Sequence, residues 1–336
     1  MNDITVVAGE LQILLNLMGG EVGISYPLYD HDLLTARTSG TGYELTLHAD
    51  SDAIRASQER FGSAAKELPS YSDLLESALA SGIIRYDNQE TFDGTLAAYR
   101  RLKKDVFFGL DTNLFYQRFA SVTPAIAPGE YLIVDTVRDE ITFAINHKYS
   151  AERIAELTGY APKHASLVAE LENKRTKKSR KAAYLALREY RSIRDRATEI
   201  ASPGQHSHRN SENDRNIAQA MRQFEEERYA LPVLLTADIY MADICDAEGI
   251  EYFFFERPYR VRAAACTAGA FLEFLFTLAA SFGFIDLSGV IVFGEYGGKG
   301  NALDEVKLRF SDDALYQDFR RELSVCRRLA ALGIER

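Results

Sequence analysis

The sequence predicts an α/β protein built around a doubly wound, mainly parallel sheet. Four short runs, Val106–Leu110, Tyr131–Val134, Val233–Leu235 and Tyr252–Phe255, are apolar almost throughout, as strands buried on both faces of a parallel sheet must be. Helical patterns separate them, which is the alternation of βα units. Several of the runs are followed at once by polar or acidic residues, where the carboxyl edge of such a sheet gathers its chemistry.

The flanks read differently. Residues 1 to about 50 alternate in strand fashion, as in Ile4–Val7 and Tyr43–Leu47, with glycines and Pro27 as punctuation. Helical patterns follow over 52–67, 71–80 and 91–104, the second introduced by Ser70 or Ser72 as N-cap. Residues 1–104 therefore read as a separate α+β module, 105–258 as the sheet domain and 259–336 as a C-terminal extension. The extension holds an apolar helix, a hairpin around Gly297–Asn301 and an amphipathic helix over 312–331. Within the sheet domain, about 151–205 reads as a helical insertion that ends in a polar loop carrying His206 and His208.

Ala263–Phe284 is long enough to span a bilayer but carries Glu273 near its middle, at a cost of about 3 kcal/mol in lipid. A buried soluble helix is the expectation, with no membrane partner. An all-round apolar helix suits burial between domains or subunits, so a homo-oligomer joined near Phe271 is one reading.

Across 336 residues, 26% are charged and the formal net charge is −10. The molecule as a whole repels polyanions, and such a partner needs a local basic patch or bound cations. The three cysteines, Cys245, Cys266 and Cys326, are widely spaced and form no C-x-x-C pair. Neither a disulfide framework nor a structural zinc site is indicated, and with no secretory leader at Met1–Thr5 the expected location is the cytoplasm.

The basic patch is local. Leu171–Arg196 carries a net +7, leaving −17 for the rest of the chain. Lys174, Arg175, Lys177, Lys178, Arg180 and Lys181 are followed by Arg188, Arg191 and Arg194 on one helix face, with Tyr184 and Tyr190 interleaved. This is the footprint of phosphate-backbone contact, with rings suited to stacking.

The acids come in an ordered series. Asp111 follows the first buried run in Leu110-Asp-Thr-Asn-Leu, and Asn113 sits two residues on. After the second run, Thr136 can cap a helix with Val137, Ile141 and Ala144 on its core face and Glu140 one turn in. Asp214 lies at a helix start, where the dipole favours a carboxylate. The third strand ends in Thr236-Ala-Asp238, with Asp243 in the helix beyond.

In this order the motifs resemble the PIN superfamily of nucleases over roughly residues 106–258. The resemblance implies that Asp111, Glu140, Asp214 and Asp238 bind metal and carry catalysis, with Asp243 as a further ligand and Asn113 and Thr236 in support. It also implies nucleic acid, RNA before DNA, as substrate. Converging carboxylates about 4 Å apart repel by roughly 4 kcal/mol at an effective dielectric of 20. Such a site wants cations, and oxygen ligands favour Mg²⁺ or Mn²⁺. Two other readings stand beside the nuclease: a PIN-like binding module without hydrolysis, and an assembly protein using the apolar helix near Phe271.

Overall fold

The computed structural model describes residues 2–145, 149–173, 183–204, 210–294 and 303–334. Its strands in chain order are β1 (Asn2–Val7), β2 (Glu21–Tyr26), β3 (His31–Ser39), β4 (Gly42–Leu47), β5 (Asp105–Leu110), β6 (Tyr131–Val134), β7 (Thr198–Ile200), β8 (Ala230–Thr236), β9 (Tyr252–Phe254), β10 (Ala265–Thr267), β11 (Phe284–Leu287), β12 (Val290–Phe293) and β13 (Glu305–Phe310). They form two sheets in two compact units, one of residues 1–83, 148–181 and 261–336, the other of 84–147 and 182–260.

The first unit holds an antiparallel sheet ordered β1-β13-β12-β11-β2-β3-β4-β10. Alternation drives it: Val22, Ile24 and Tyr26 of β2 are buried, and the residues between them face outward. The helix Ala268–Phe282 packs on this sheet, with Phe271 against Tyr43 and Phe282 against Tyr26. Its Thr277 hydroxyl donates to the Ser77 carbonyl of the helix Tyr71–Ala80. On β13, Lys307 and Arg309 lie over the Phe293 ring and pair with Glu170 and Asp3.

This arrangement corrects the expected boundaries. The two flanks are not a module and a separate extension: β1 pairs with β13 over six residues, so both ends of the chain build one sheet. The apolar helix is buried within its own unit, with Phe271 and Phe274 almost wholly covered. Beside them, Gly269 is exposed and Leu272 and Glu273 are half-exposed. Among the described residues no helix is long and apolar enough to cross a membrane. The glycine-rich hairpin turn falls on residues outside those described.

The second unit is the α/β layer. Its five strands are all parallel, in the order β7-β6-β5-β8-β9. Phe108 meets Tyr99 of the helix Gln89–Tyr99, whereas Phe107 meets Phe224 of the helix Asn210–Glu227. Adjacent side chains of a strand point to opposite faces, so helices cover both sides of β5. Gly109 leaves room for the second helix: a Cβ there would come within 2.7 Å of the Met221 Cε.

The proposed insertion divides between the units. Helices Ala151–Tyr160 and Ala165–Asn173 belong to the first unit, while Ala183–Ile193 and β7 are built into the second. Tyr184 and Tyr190 are buried, so neither ring is open for base stacking, contrary to expectation. The face of Ala183–Ile193 they share is a core face, packed on the helices Thr112–Tyr116 and Asp135–Ile145. Arg188 and Arg191 are half-buried on this helix and Arg194 lies exposed just beyond it. Lys174, Arg175, Lys177, Lys178, Arg180 and Lys181 lie outside the described residues, as do His206 and His208.

Candidate functional site

In the second unit the chain runs from β5 outward through β6 to β7, then returns beside β5 and runs outward the other way through β8 to β9. The reversal falls between β5 and β8, where connections leave in opposite directions and open a crevice at the carboxyl ends. Asp111 follows β5 directly, and its N–H donates to the Leu235 carbonyl of β8 at 3.0 Å. Asp238 lies two residues past β8. Two of the four acids are thus set at the switch point by the strands that precede them.

One hydroxyl ties these two together. Thr236 Oγ1, fully buried, donates to Asp111 Oδ2 at 2.7 Å and accepts from the Asp238 N–H at 2.9 Å. Asn113 Nδ2 also donates to Asp111 Oδ2, at 3.3 Å. Asp238 then caps the helix Ile239–Glu248, its Oδ1 accepting from the Tyr240 N–H at 2.9 Å.

Glu140 arrives from the neighbouring connection. The helix Asp135–Ile145 buries Val137, Ile141 and Ala144, as its pattern predicts, and leaves Glu140 half-buried at the edge of that face. Its carboxylate accepts from Thr112 Oγ1 on one oxygen and from Asn213 Nδ2, at 2.8 Å, on the other. Thr112 and Asn213 carried no recognisable motif, yet they link Glu140 to the neighbours of Asp111 and Asp214. Asp214 itself is not at the helix start: Asn210–Glu227 begins four residues earlier, so the dipole acts on it less than expected.

The acids act on one another electrostatically. Burial pushes Asp111 up to about 6, with help from Glu140 and Asp238 and against the hydrogen bond from Thr236. Burial likewise pushes Asp214 up to about 7, followed by the charges of Asp111, Glu140 and Asp238. All four acids therefore share one field. Cys245, buried beneath them, is raised to about 12 by burial and then by Asp111, Asp246 and Asp214, so it stays a thiol. Asp243 is exposed one turn along the helix, and its charge acts on Tyr252.

The donor set is all oxygen, which suits a hard cation. Thr136, one turn before Glu140 on the same helix, is buried with no hydrogen-bond partner for its hydroxyl among the described residues. It does not cap its helix as expected, and it leaves an unsatisfied oxygen on the helix that carries Glu140. Among the described residues, however, no three acids, histidines or cysteines already stand close enough to hold one ion. A hydrogen-bond donor holds three of the four acids: Thr236 on Asp111, Asn213 on Glu140, the Tyr240 N–H on Asp238. The residues fit such an ion in chemistry, and drawing them in would exchange these hydrogen bonds for ligand bonds.

A cleft of about 360 Å³, lined by Tyr99, Arg100, Lys104 and Phe107 among others, opens at the opposite, amino-terminal end of β5. It has no part in the acidic arrangement. No protein-family model and no curated protein matches this sequence.

Proposed function

We propose that the second unit is a metal-dependent nuclease of PIN-like design, hydrolysing phosphodiester bonds of nucleic acid, RNA before DNA. The observation that carries this reading is the mutual field of Asp111, Glu140, Asp214 and Asp238 at the switch point of a parallel sheet. Burying carboxylates together is unfavourable unless something offsets the charge, and a proton or a cation can do so.

Asp111 and Asp238 are the direct ligands in this reading, because one Thr236 hydroxyl holds the Asp111 carboxylate and the Asp238 backbone side by side. Glu140 and Asp214 complete the acidic wall, with Asn213 and Thr112 steering Glu140. Bound Mg²⁺ or Mn²⁺ supplies charge neutralisation at the phosphate, a lowered pKa for attacking water and stabilisation of the leaving oxygen. The half-buried carboxylates of Asp214 and Glu140 orient that water and accept its proton. No protein nucleophile is needed.

The direct test is cleavage of a mixed panel of RNA and DNA with Mg²⁺ or Mn²⁺. Asp111→Asn keeps the shape and the acceptor for Thr236 but removes a charged ligand, so activity falls by about a hundredfold or more while substrate binding persists. Wild-type protein inert on the whole panel removes the hydrolytic reading.

A second reading, a PIN-like module that binds nucleic acid without cutting it, draws on the net +7 of Leu171–Arg196, which suits phosphate contact whether or not the acids cut. Retained binding with no cleavage in either metal selects it.

A further inference from the structure

Tyr240 and Ile239, the first two residues of the helix Ile239–Glu248, are 73% and 54% exposed. One exposed ring is ordinary on a protein surface; its position singles this one out. The Tyr240 N–H is bound by Asp238 Oδ1, and the Asp238 N–H by the same Thr236 hydroxyl that holds Asp111. The ring therefore grows from backbone tied directly to the Asp238 carboxylate and, through the Asp238 N–H and the Thr236 hydroxyl, to that of Asp111. Among the described residues its hydroxyl takes no hydrogen bond, whereas Tyr86, Tyr99 and Tyr252 of the same unit bond Gln117, Glu251 and Asp246.

Charge explains what such a ring is for. Four converging acids repel a polyanion, so the strand beside them needs a handle that does not depend on charge. Stacking on an aromatic face is one, and it accepts any base. In a duplex both faces of a base are covered by its neighbours; in a single strand one face can be opened.

We infer that the Tyr240 ring is the platform on which an unpaired base beside the scissile phosphate stacks, with Ile239 lining its edge. The inference rests on the nuclease reading and adds to it the residue that selects single strands over duplex. Tyr240 is specificity-determining in this account; the acids do the chemistry.

The test uses the Asp111→Asn protein, which holds substrate uncut, in Mg²⁺. It is titrated with a single-stranded oligoribonucleotide carrying 2-aminopurine, whose fluorescence is quenched by stacking, and with the matching duplex. Adding Tyr240→Ala weakens single-strand binding about tenfold and abolishes the quench. Tyr240→Phe preserves both, and duplex affinity is the same in all three proteins. Unchanged single-strand affinity in the Tyr240→Ala protein overturns the inference, as does an equal loss on duplex or no single-strand binding by the parent.

The two readings fail separately. A quench that depends on the ring, in a protein whose wild type never cleaves, removes the nuclease and leaves the platform. Cleavage by Tyr240→Ala with unaltered KM removes the platform and leaves the nuclease.

Discussion

The Thr236 hydroxyl makes two bonds at once, giving its proton to Asp111 and taking one from the Asp238 N–H. Thr236→Val keeps the volume and removes both, leaving a buried carboxylate and a backbone donor short of a partner. A loss of about 1–3 kcal/mol is expected in urea unfolding, and an unchanged midpoint would show that the hydroxyl is not holding the acids. Asp111→Asn should act in the opposite sense on stability. Burial disfavours the Asp111 charge, so a neutral amide at pH 8 should leave the melting temperature equal or higher; a clear drop would contradict this.

Protons and cations compete for the same oxygens. The ordinary aspartate value is 3.8, and the fold raises Asp111 to about 6 and Asp214 to about 7. Between roughly pH 4 and 7 the folded protein thus holds protons that the unfolded chain has released. More protons on the folded side means that this contribution to stability is full at low pH and is lost as pH rises through that window. On the proposed nuclease reading Mg²⁺ or Mn²⁺ restores it, so the gain in melting temperature on adding metal should be larger at pH 8 than at pH 5. Equal gains at both would mean that the ion binds elsewhere.

At the scale of elements, the apolar runs that became β5, β6, β8 and β9 were legible, because strands covered on both faces carry little but apolar residues. The strand β7 was not: Thr198-Glu-Ile200 sits at the sheet edge and is half exposed, so burial leaves no mark on its composition. The helix Ala183–Ile193 misled for a related reason. Its arginines dominate the sequence, while Tyr184, Leu185, Ala186 and Tyr190 bury a full face. The positions of Asp111, Glu140 and Asp238 were readable from strand and helix context. Thr112 and Asn213, which fix Glu140, were not, since a polar side chain carries no sign of its partner. The apolar helix Ala268–Phe282 was legible as buried but not as buried within its own unit. Phe274→Asp should therefore unfold the first unit, costing several kcal/mol, with a large loss in melting temperature. A folded variant that differed from wild type only in its mass by light scattering would contradict this.

At the scale of the molecule, pairings distant in sequence were beyond reach. Nothing local announces that Asn2–Val7 lies beside Glu305–Phe310, because strand partners are chosen by a surface that exists only once the core has formed. Net charge operates at this scale too. A chain at −10 with a net +7 in Leu171–Arg196 should bind single strands with a salt dependence set by those cations. Lys177→Glu with Lys178→Glu should weaken binding and lower the magnitude of the salt slope by about 1–2, read from anisotropy titrations over a salt series; an unchanged slope would remove the basic stretch from the interface.

The nuclease reading depends on four carboxylates, delivered by separate strands and helices, sharing a cation. Anomalous diffraction from crystals soaked in Mn²⁺ measures that directly. A manganese peak in coordinating contact with Asp111 and Asp238, with Glu140 and Asp214 around it, is the predicted result. At saturating Mn²⁺, no peak among these side chains, or one bound only elsewhere, would contradict it.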